Sequence, residues 1–373
     1  MYDFSNPSDS ITRNHIVKLK NSASESSLRD AIKRVKASNT KHIYRSGRFN
    51  GFAAKLSPQV LEHVRKLPKV EYIEQDAVIT FYDYVTQNNP PWGLARISRR
   101  TPGATSYVYD ESAREGTCSY IIDTGIYVDH NEFQGRATWL ANFIDDADTD
   151  GAGHGTHVAG TVGGVTYGVA KKTRLFAVKV LNANGRGTVS SPIAGIDFVA
   201  ADARNRTAAE ACPRGVVANV SLGGARSSAI NSAVAAAVGN AGMFFAVAAW
   251  NDGDDALHNS PASELSACTV SAADVADVRW ALSNYGEAAD LFAPGVGLLS
   301  SWIGGVDWTL YLAGTSMACR HVAGFAAYLL ALLGSKTPAE LCQYLKDTAT
   351  LGTSTDLPNG TFNAIAFNGN SNA

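Results

Sequence analysis

The chain has 373 residues, 45% of them apolar, 9% aromatic and 18% charged, which is material for a large buried core and excludes an intrinsically disordered chain. At roughly 100–200 residues per domain the length predicts two domains or three. The net charge of −2 gives no basic field and argues against nucleic acid as a partner.

The charge is unevenly placed. Residues 1–84 carry 14 Lys and Arg against 9 Asp and Glu, and the remaining 289 residues carry 18 against 25, so a basic first part precedes an acidic second one. In the first part His15–Leu19 alternates as a strand. Ser24–Lys36 has helical spacing at Leu28, Ile32 and Val35, with Ser27 as a cap ahead of Asp30. Gly51–Leu56 predicts a second strand, Ser57 with Pro58 opens a helix through Leu67, and Val70–Val78 predicts a third strand. This order predicts an α+β, ferredoxin-like unit of about 75 residues. The polar, proline-bearing stretch 83–91 reads as a linker.

The second part alternates apolar runs with Gly/Ala-rich helical segments. Ser119–Asp123, Leu175–Leu181, Val216–Leu222, Met243–Ala249 and Cys268–Ser271 are near-continuous apolar runs, as expected of parallel strands covered on both faces. An α/β domain follows, whose sites gather at the carboxyl ends of strands, where Asp123 stands. The most apolar long stretch, Ala233–Trp250, is interrupted at Asn240 and reads as a helix, a turn and a buried strand, so no membrane span is expected. Met1–Phe4 lacks the basic and apolar regions of a signal peptide, which leaves either a removed signal or a chain retained in the cell. Five widely spaced cysteines without a C-x-x-C pair speak against a zinc cluster or a redox dithiol, and their odd number leaves one unpaired within the chain.

Three segments of this part present chemistry. Ile121-Ile122-Asp123-Thr124-Gly125 ends a buried run on a carboxylate, which is costly unless compensated; taken alone, Asp123 equally serves as a cap or turn former. Gly153-His154-Gly155-Thr156-His157 sets two histidines at i and i+3, but no H-E-x-x-H frame and no third ligand completes a metal site. A general base at His154, with His157 structural, is the better reading. Ala313-Gly314-Thr315-Ser316-Met317-Ala318 puts a serine at the mouth of an apolar helix, where peptide N–H groups and the helix dipole favour a developing oxyanion; taken alone, Ser316 is an N-cap. Together the segments supply what a serine nucleophile requires. A base takes the hydroxyl proton, and an acid fixes the tautomer of the base.

These segments, in the order Asp…His…Ser, resemble the signature blocks of subtilisin-like serine proteases, most closely the fungal proteinase K-like branch, and the resemblance runs along nearly the whole chain. It implies a subtilisin-like three-layer α/β domain with a mostly parallel sheet over residues 85–373, and an inhibitor-type, ferredoxin-like propeptide with its linker over residues 1–84. Pro91-Trp92-Gly93-Leu94-Ala95-Arg96-Ile97 resembles the start of the mature enzyme. By position, the resemblance implies that Asp123 orients His154, that His154 is general base and acid, that Ser316 is the nucleophile and that Asn251 is an oxyanion donor. Ser221, Leu222, Gly223 and Gly224, with Gly185, Arg186 and Gly187, would flank an extended peptide by strand addition. Ala248, Ala249 and Trp250 would border the pocket for the residue before the cut. The implied protein is a secreted serine endopeptidase acting on peptides or proteins as a monomer, without a membrane partner or a catalytic cofactor. It would be made as a zymogen, inhibited by its own propeptide and cleaved by itself near Tyr84-Val85.

The same resemblance pairs Cys118 with Cys212 and Cys268 with Cys342, leaving Cys319 beside the nucleophile. It implies one structural calcium ion on Asp290 and the carbonyls of Leu265 and Ala267, a plausible oxygen set. A second, weaker site would fall on Arg100 and Thr353, where the carboxylate is missing. The acidic run Asp146, Asp148 and Asp150 mimics an EF-hand start without its closing Glu and reads as a solvated loop. Trp250 stands where the family has a glycine, Arg320 where it has a proline, and Cys319 and Ala313 where it has small hydroxyl residues. Trp250 and Arg320 also motivate a second reading, a binding or decoy protein on a protease fold.

Overall fold

The computed structural model describes residues 10–35, 39–46, 48–77, 84–111 and 115–370, and the chain divides into two units, residues 1–81 and 82–373. In the first unit β1 (Ser10–Leu19), α1 (Glu25–Val35), β2 (Thr40–Ser46), β3 (Phe49–Lys55), α2 (Pro58–Arg65) and β4 (Val70–Ala77) follow in the order βαββαβ. The strands pair antiparallel in the spatial order β2-β3-β1-β4, which is the ferredoxin-like arrangement. Leu28, Ala31 and Val35 of α1 and Val64 of α2 meet Val17, Leu19, Phe52 and Ala54 of the sheet in one apolar cluster. Ser57 caps α2 from its side chain, as expected. For α1 the cap is Ser24, whose Oγ accepts the Ser27 N–H. Ser27 already lies in the first turn, so it donates to a cap rather than forming one. Strand β2 went unread in the sequence because it is an edge strand without a fully buried residue, and so lacks apolar alternation.

The second unit comprises β5 (Tyr84–Asn88), α3 (Trp92–Ile97), β6 (Ser106–Asp110), β7 (Thr117–Asp123), β8 (Ala137–Asn142), α4 (His154–Gly163), β9 (Arg174–Lys179), α5 (Ser190–Ala208), β10 (Gly215–Val220), β11 (Gly224–Ala225), α6 (Ser228–Ala241), β12 (Phe244–Ala248), β13 (Asn259–Ser260), β14 (Cys268–Ala273), β15 (Leu291–Pro294), β16 (Leu298–Ser301), β17 (Thr309–Leu312), α7 (Thr315–Leu333), α8 (Pro338–Thr348), β18 (Thr350–Leu351) and β19 (Ala364–Ile365). Nine strands form one sheet in the order β18-β19-β15-β14-β12-β10-β7-β9-β8. All its pairings are parallel except β18 with β19. Side chains alternate across it: Tyr120 and Ile122 of β7 join Ile196 and Val199 of α5 and Val234 of α6 on one face, and Ile121 joins Val158 of α4 and Val322 of α7 on the other. This two-sided burial is why the strands read as continuous apolar runs.

Helix α7 is long and apolar enough to cross a membrane, yet 83% of its most apolar window is buried in the protein; it is a core helix. The stretch 84–88 corrects the linker reading. It is strand β5, paired in register from Tyr84↔Asp110 to Asn88↔Ser106, and its polar side chains conceal a backbone ladder. Cys118 is bonded to Cys212 and Cys268 to Cys342. The bridged residues lie 94 and 74 positions apart, and closing loops of that length restricts the unfolded chain by about 4.5 kcal/mol each. Replacing Cys118 and Cys212 together by alanine is expected to lower the melting midpoint by about 10 °C in calorimetry; an unchanged midpoint would contradict this account.

Candidate active site

Strand β7 delivers Asp123 at its carboxyl end, fully buried. Its Oδ1 accepts the Thr124 N–H at 2.7 Å and the Nδ1–H of His154 at 2.7 Å. His154 is the first residue of α4. The approach of α4 to β7 requires glycine at position 155, because a Cβ there would lie 2.0 Å from the Gly125 carbonyl oxygen. Burial lowers the His154 pKa, but the charge and hydrogen bond of Asp123 outweigh it and leave the ring raised above its ordinary value. Arg320 acts in the lowering sense and Asp150 in the raising sense.

Asp150 is not the solvated residue expected from its acidic run. Whereas Asp146 and Asp148 are exposed, Asp150 is 6% exposed. Its Oδ1 accepts from Thr124 Oγ1 and the Gly153 and Ala152 amides, and its Oδ2 from the Thr156 amide and hydroxyl. A carboxylate four residues ahead of His154 thus ties the first turn of α4 to the end of β7, satisfying amides that the helix cannot. Sequence reasoning missed this residue, although an acid just ahead of a helix start is a recognisable capping signal.

Ser316 is the second residue of α7, and its Oγ donates to the Ser221 carbonyl at 3.0 Å while Ser221 Oγ donates back to the Ser316 carbonyl at 3.1 Å. Asn251 follows the end of β12. Its Oδ1 accepts both the Thr315 N–H at 2.8 Å and the Thr315 hydroxyl at 2.9 Å. Two donors on one oxygen fix the amide orientation and direct Nδ2 away from Thr315. Thr315, also unforeseen, accepts in turn from the Trp250 N–H. A cleft of about 670 Å³ is lined by His154, Ser316, Asn251 and Trp250, together with residues 185–187 and 221–224. Ala248 and Ala249 are buried behind it, with Ala248 in the main core.

Of the departures from the pattern it resembles, Trp250 lines this cleft, while Arg320 and Cys319 are buried on α7. Trp250 has φ +86°, a left-handed conformation that costs a bulky residue about 1–3 kcal/mol. Its ring covers Gly223, where a Cβ would fall 2.9 Å from Trp250 Cε3. Arg320 is fully buried on α7 and donates to the ring Nδ1 and the carbonyl of His157. Among the described residues its Nε and one terminal nitrogen have no partner. His157 also holds the Leu310 carbonyl through Nε2. Burial first, and Arg320 second, push its ring down to about 2, so it stays neutral, in a structural role. Burial pushes the Cys319 thiol up to about 12, which leaves it protonated and unreactive.

The calcium ligation expected on Asp290, Leu265 and Ala267 does not fit. Asp290 Oδ2 accepts the Thr269 N–H and Oδ1 accepts Lys346 Nζ at 3.0 Å. The nearby sulfurs of Cys268 and Cys342 are joined in a disulfide and cannot ligate.

Residues 117–367 match the model of the subtilase family and residues 5–82 that of the peptidase inhibitor I9 family. The chain is 49% identical over 359 residues to a cuticle-degrading protease of Metarhizium anisopliae, covering 96% of this chain and 90% of that one. It is 55% identical over 304 residues to proteinase T of Parengyodontium album, covering 81% and 100%. The crystal structure of a cold adapted subtilisin-like serine proteinase superposes with a TM-score of 0.69 at 39% identity, covering 75% of this chain and 98% of that one.

Two outcomes are expected. Asp150→Asn loses several of the bonds that hold the start of α4, and a misplacement of about 1 Å costs roughly 100-fold in turnover; kcat on a peptide substrate should fall while KM stays close to wild type. Arg320→Met removes a positive charge that lowers the His154 pKa, so the acidic limb of kcat/KM, which reports protonation of the base, should move to higher pH. Because the variant also removes a buried charge with unpartnered donors, its midpoint should hold or rise. A limb that stays in place would refute the electrostatic role of Arg320.

Proposed function

The chain belongs to the subtilase family of serine endopeptidases, and on that premise we propose that Asp123, His154 and Ser316 are its catalytic triad and that residues 1–84 are a propeptide removed by self-cleavage at Tyr84-Val85. The observation that carries the triad is the 2.7 Å bond from His154 Nδ1 to Asp123 Oδ1 beside a cleft that also holds Ser316 and Asn251.

The chemistry follows from these atoms. Asp123 holds the His154 proton on Nδ1, which keeps the Nε2 lone pair for the serine proton. Ser316 Oγ turns from the Ser221 carbonyl, yields its proton to Nε2 and attacks the scissile carbonyl carbon. Charge develops on the carbonyl oxygen, and the Ser316 N–H and Asn251 Nδ2 supply donors that strengthen in the transition state. His154 then passes its proton to the departing amine, and the acyl-serine forms. Water, deprotonated by the same ring, attacks the ester and restores the hydroxyl. The residues suffice for each step without a cofactor. The two segments 185–187 and 221–224 support binding of an extended peptide, whose backbone would pair with them as an added strand.

The match to the inhibitor family over residues 5–82 supports a zymogen with peptide substrates and an intramolecular inhibitor. Two disulfides support an oxidising, extracellular setting. The decoy reading gains nothing from the relatives, which are named as proteases. Trp250 bears on rate instead: its ring and a large residue before the cut compete for the same space, and Tyr84 is such a residue. Self-cleavage is therefore slow.

Wild-type protein should convert with time to a form beginning at Val85 and hydrolyse peptide substrates, and Ser316→Ala should do neither, as followed by intact mass and N-terminal sequencing. Processing of Ser316→Ala at the wild-type rate would refute the nucleophile. Trp250→Gly should raise kcat/KM at least about 10-fold for peptides with an aromatic residue before the cut, relative to alanine, and should speed self-cleavage. An unchanged aromatic-to-alanine ratio would place the indole outside the pocket.

A further inference from the structure

Two protein cations hold the carboxyl end of α8, one of them on the carboxylate where a calcium ion would be expected. Asp290 precedes β15 and is half-buried, and desolvation pushes its carboxyl pKa up while the Thr269 N–H and Lys346 oppose the rise. Lys346, in the last turn of α8, reaches it with Nζ at 3.0 Å from Oδ1 and lies 5.5 Å from the ring centroid of Phe362. The register is set by the helix itself. Cys342 stands one turn before Lys346, on the same face, and its disulfide to Cys268 fixes that face against β14. Two residues beyond Lys346, the guanidinium of Arg100 donates to the carbonyls of Thr348 at 3.4 Å and Ala349 at 3.2 Å. These are terminal helix carbonyls without intrahelical donors and carry the negative end of the dipole. Arg100 also stacks 4.1 Å from the ring centroid of Phe367.

We propose that Lys346 and Arg100 replace structural calcium in this protein, tying α8 to Asp290 and to its own terminal carbonyls, so that the fold is stable without any divalent cation. A calcium ion needs six to eight oxygens at about 2.3–2.6 Å. At Asp290 it would meet an ammonium already on the carboxylate. At the second place, on Arg100 and Thr353, the carboxylate is missing, and the Arg100 guanidinium instead neutralises the Thr348 and Ala349 carbonyls at the end of α8. The replacement has a physical consequence: a tethered cation has no dissociation constant, so stability no longer depends on the free ion.

The test is thermal unfolding of the full chain carrying Ser316→Ala, which prevents self-digestion and requires no catalysis, in millimolar EGTA and in millimolar calcium chloride. The midpoints should agree within about 2 °C, whereas a calcium ion bound at about 100 times its Kd would raise the midpoint by about 5–10 °C. Adding Lys346→Ala should lower the midpoint in EGTA by about 2–8 °C and make it rise with calcium, because Asp290 is released; Lys346→Arg should keep both the midpoint and the indifference to calcium. Calcium stabilisation of the parent protein overturns the proposal, and that measurement needs no variant at position 346. So does a Lys346→Ala midpoint that is unchanged, or that falls and does not respond to calcium.

Discussion

The hydrogen bond from His154 Nδ1 to Asp123 Oδ1 is the contact on which the rest of the second unit depends. A buried carboxylate at a strand end is costly unless its charge is met, and here a backbone amide and the imidazole both meet it on Oδ1 at 2.7 Å, while Oδ2 has no partner among the described residues. Bringing the imidazole there imposes conditions at a distance. Helix α4 must start at His154, its first turn must press against the Thr124-Gly125 backbone, and position 155 cannot carry a Cβ. Asp150 then secures the turn by accepting from both Thr124, just past β7, and α4. Helix α7 brings Ser316 in the same way, at its second residue, and Thr315 orients Asn251 beside it. Two helix N-termini thus converge at the carboxyl end of a parallel sheet, which is where α/β folds place their chemistry.

Much of this was legible from residue patterns. The apolar runs of β7, β9, β10, β12 and β14 mark strands buried on both faces, and Asp123, His154 and Ser316 each stand at the end or start of such an element. What escaped reading was set by partners distant in sequence or by backbone rather than side chains. β2 and β5 are held by ladders that their exposed, polar residues do not announce. Asp150 looked like its exposed neighbours Asp146 and Asp148, and only the fold separates one buried carboxylate from two solvated ones. Asp290 offered a plausible metal ligand until α8 brought Lys346 to it from 56 residues away.

The departures on the cleft wall and on α7 share a physical theme, which is local strain or desolvation. Trp250 holds a left-handed backbone and fills space against Gly223. Arg320 carries a charge into the core and leaves two nitrogens without partners among the described residues. Cys319 is silenced by the same burial. With the proposed triad, Trp250 bears on access and Arg320 on the proton affinity of His154, so their effects are expected in specificity and pH profile rather than in the kind of chemistry.

The central claim is that Ser316 is a nucleophile activated by His154 and Asp123. Phosphonylation with a serine-directed fluorophosphonate, followed by tandem mass spectrometry of the digested protein, tests it most directly. The account predicts a single adduct, on Ser316, that forms in the wild type and is lost when His154 is replaced by alanine. An unlabelled wild type, or an adduct on another residue, would contradict it.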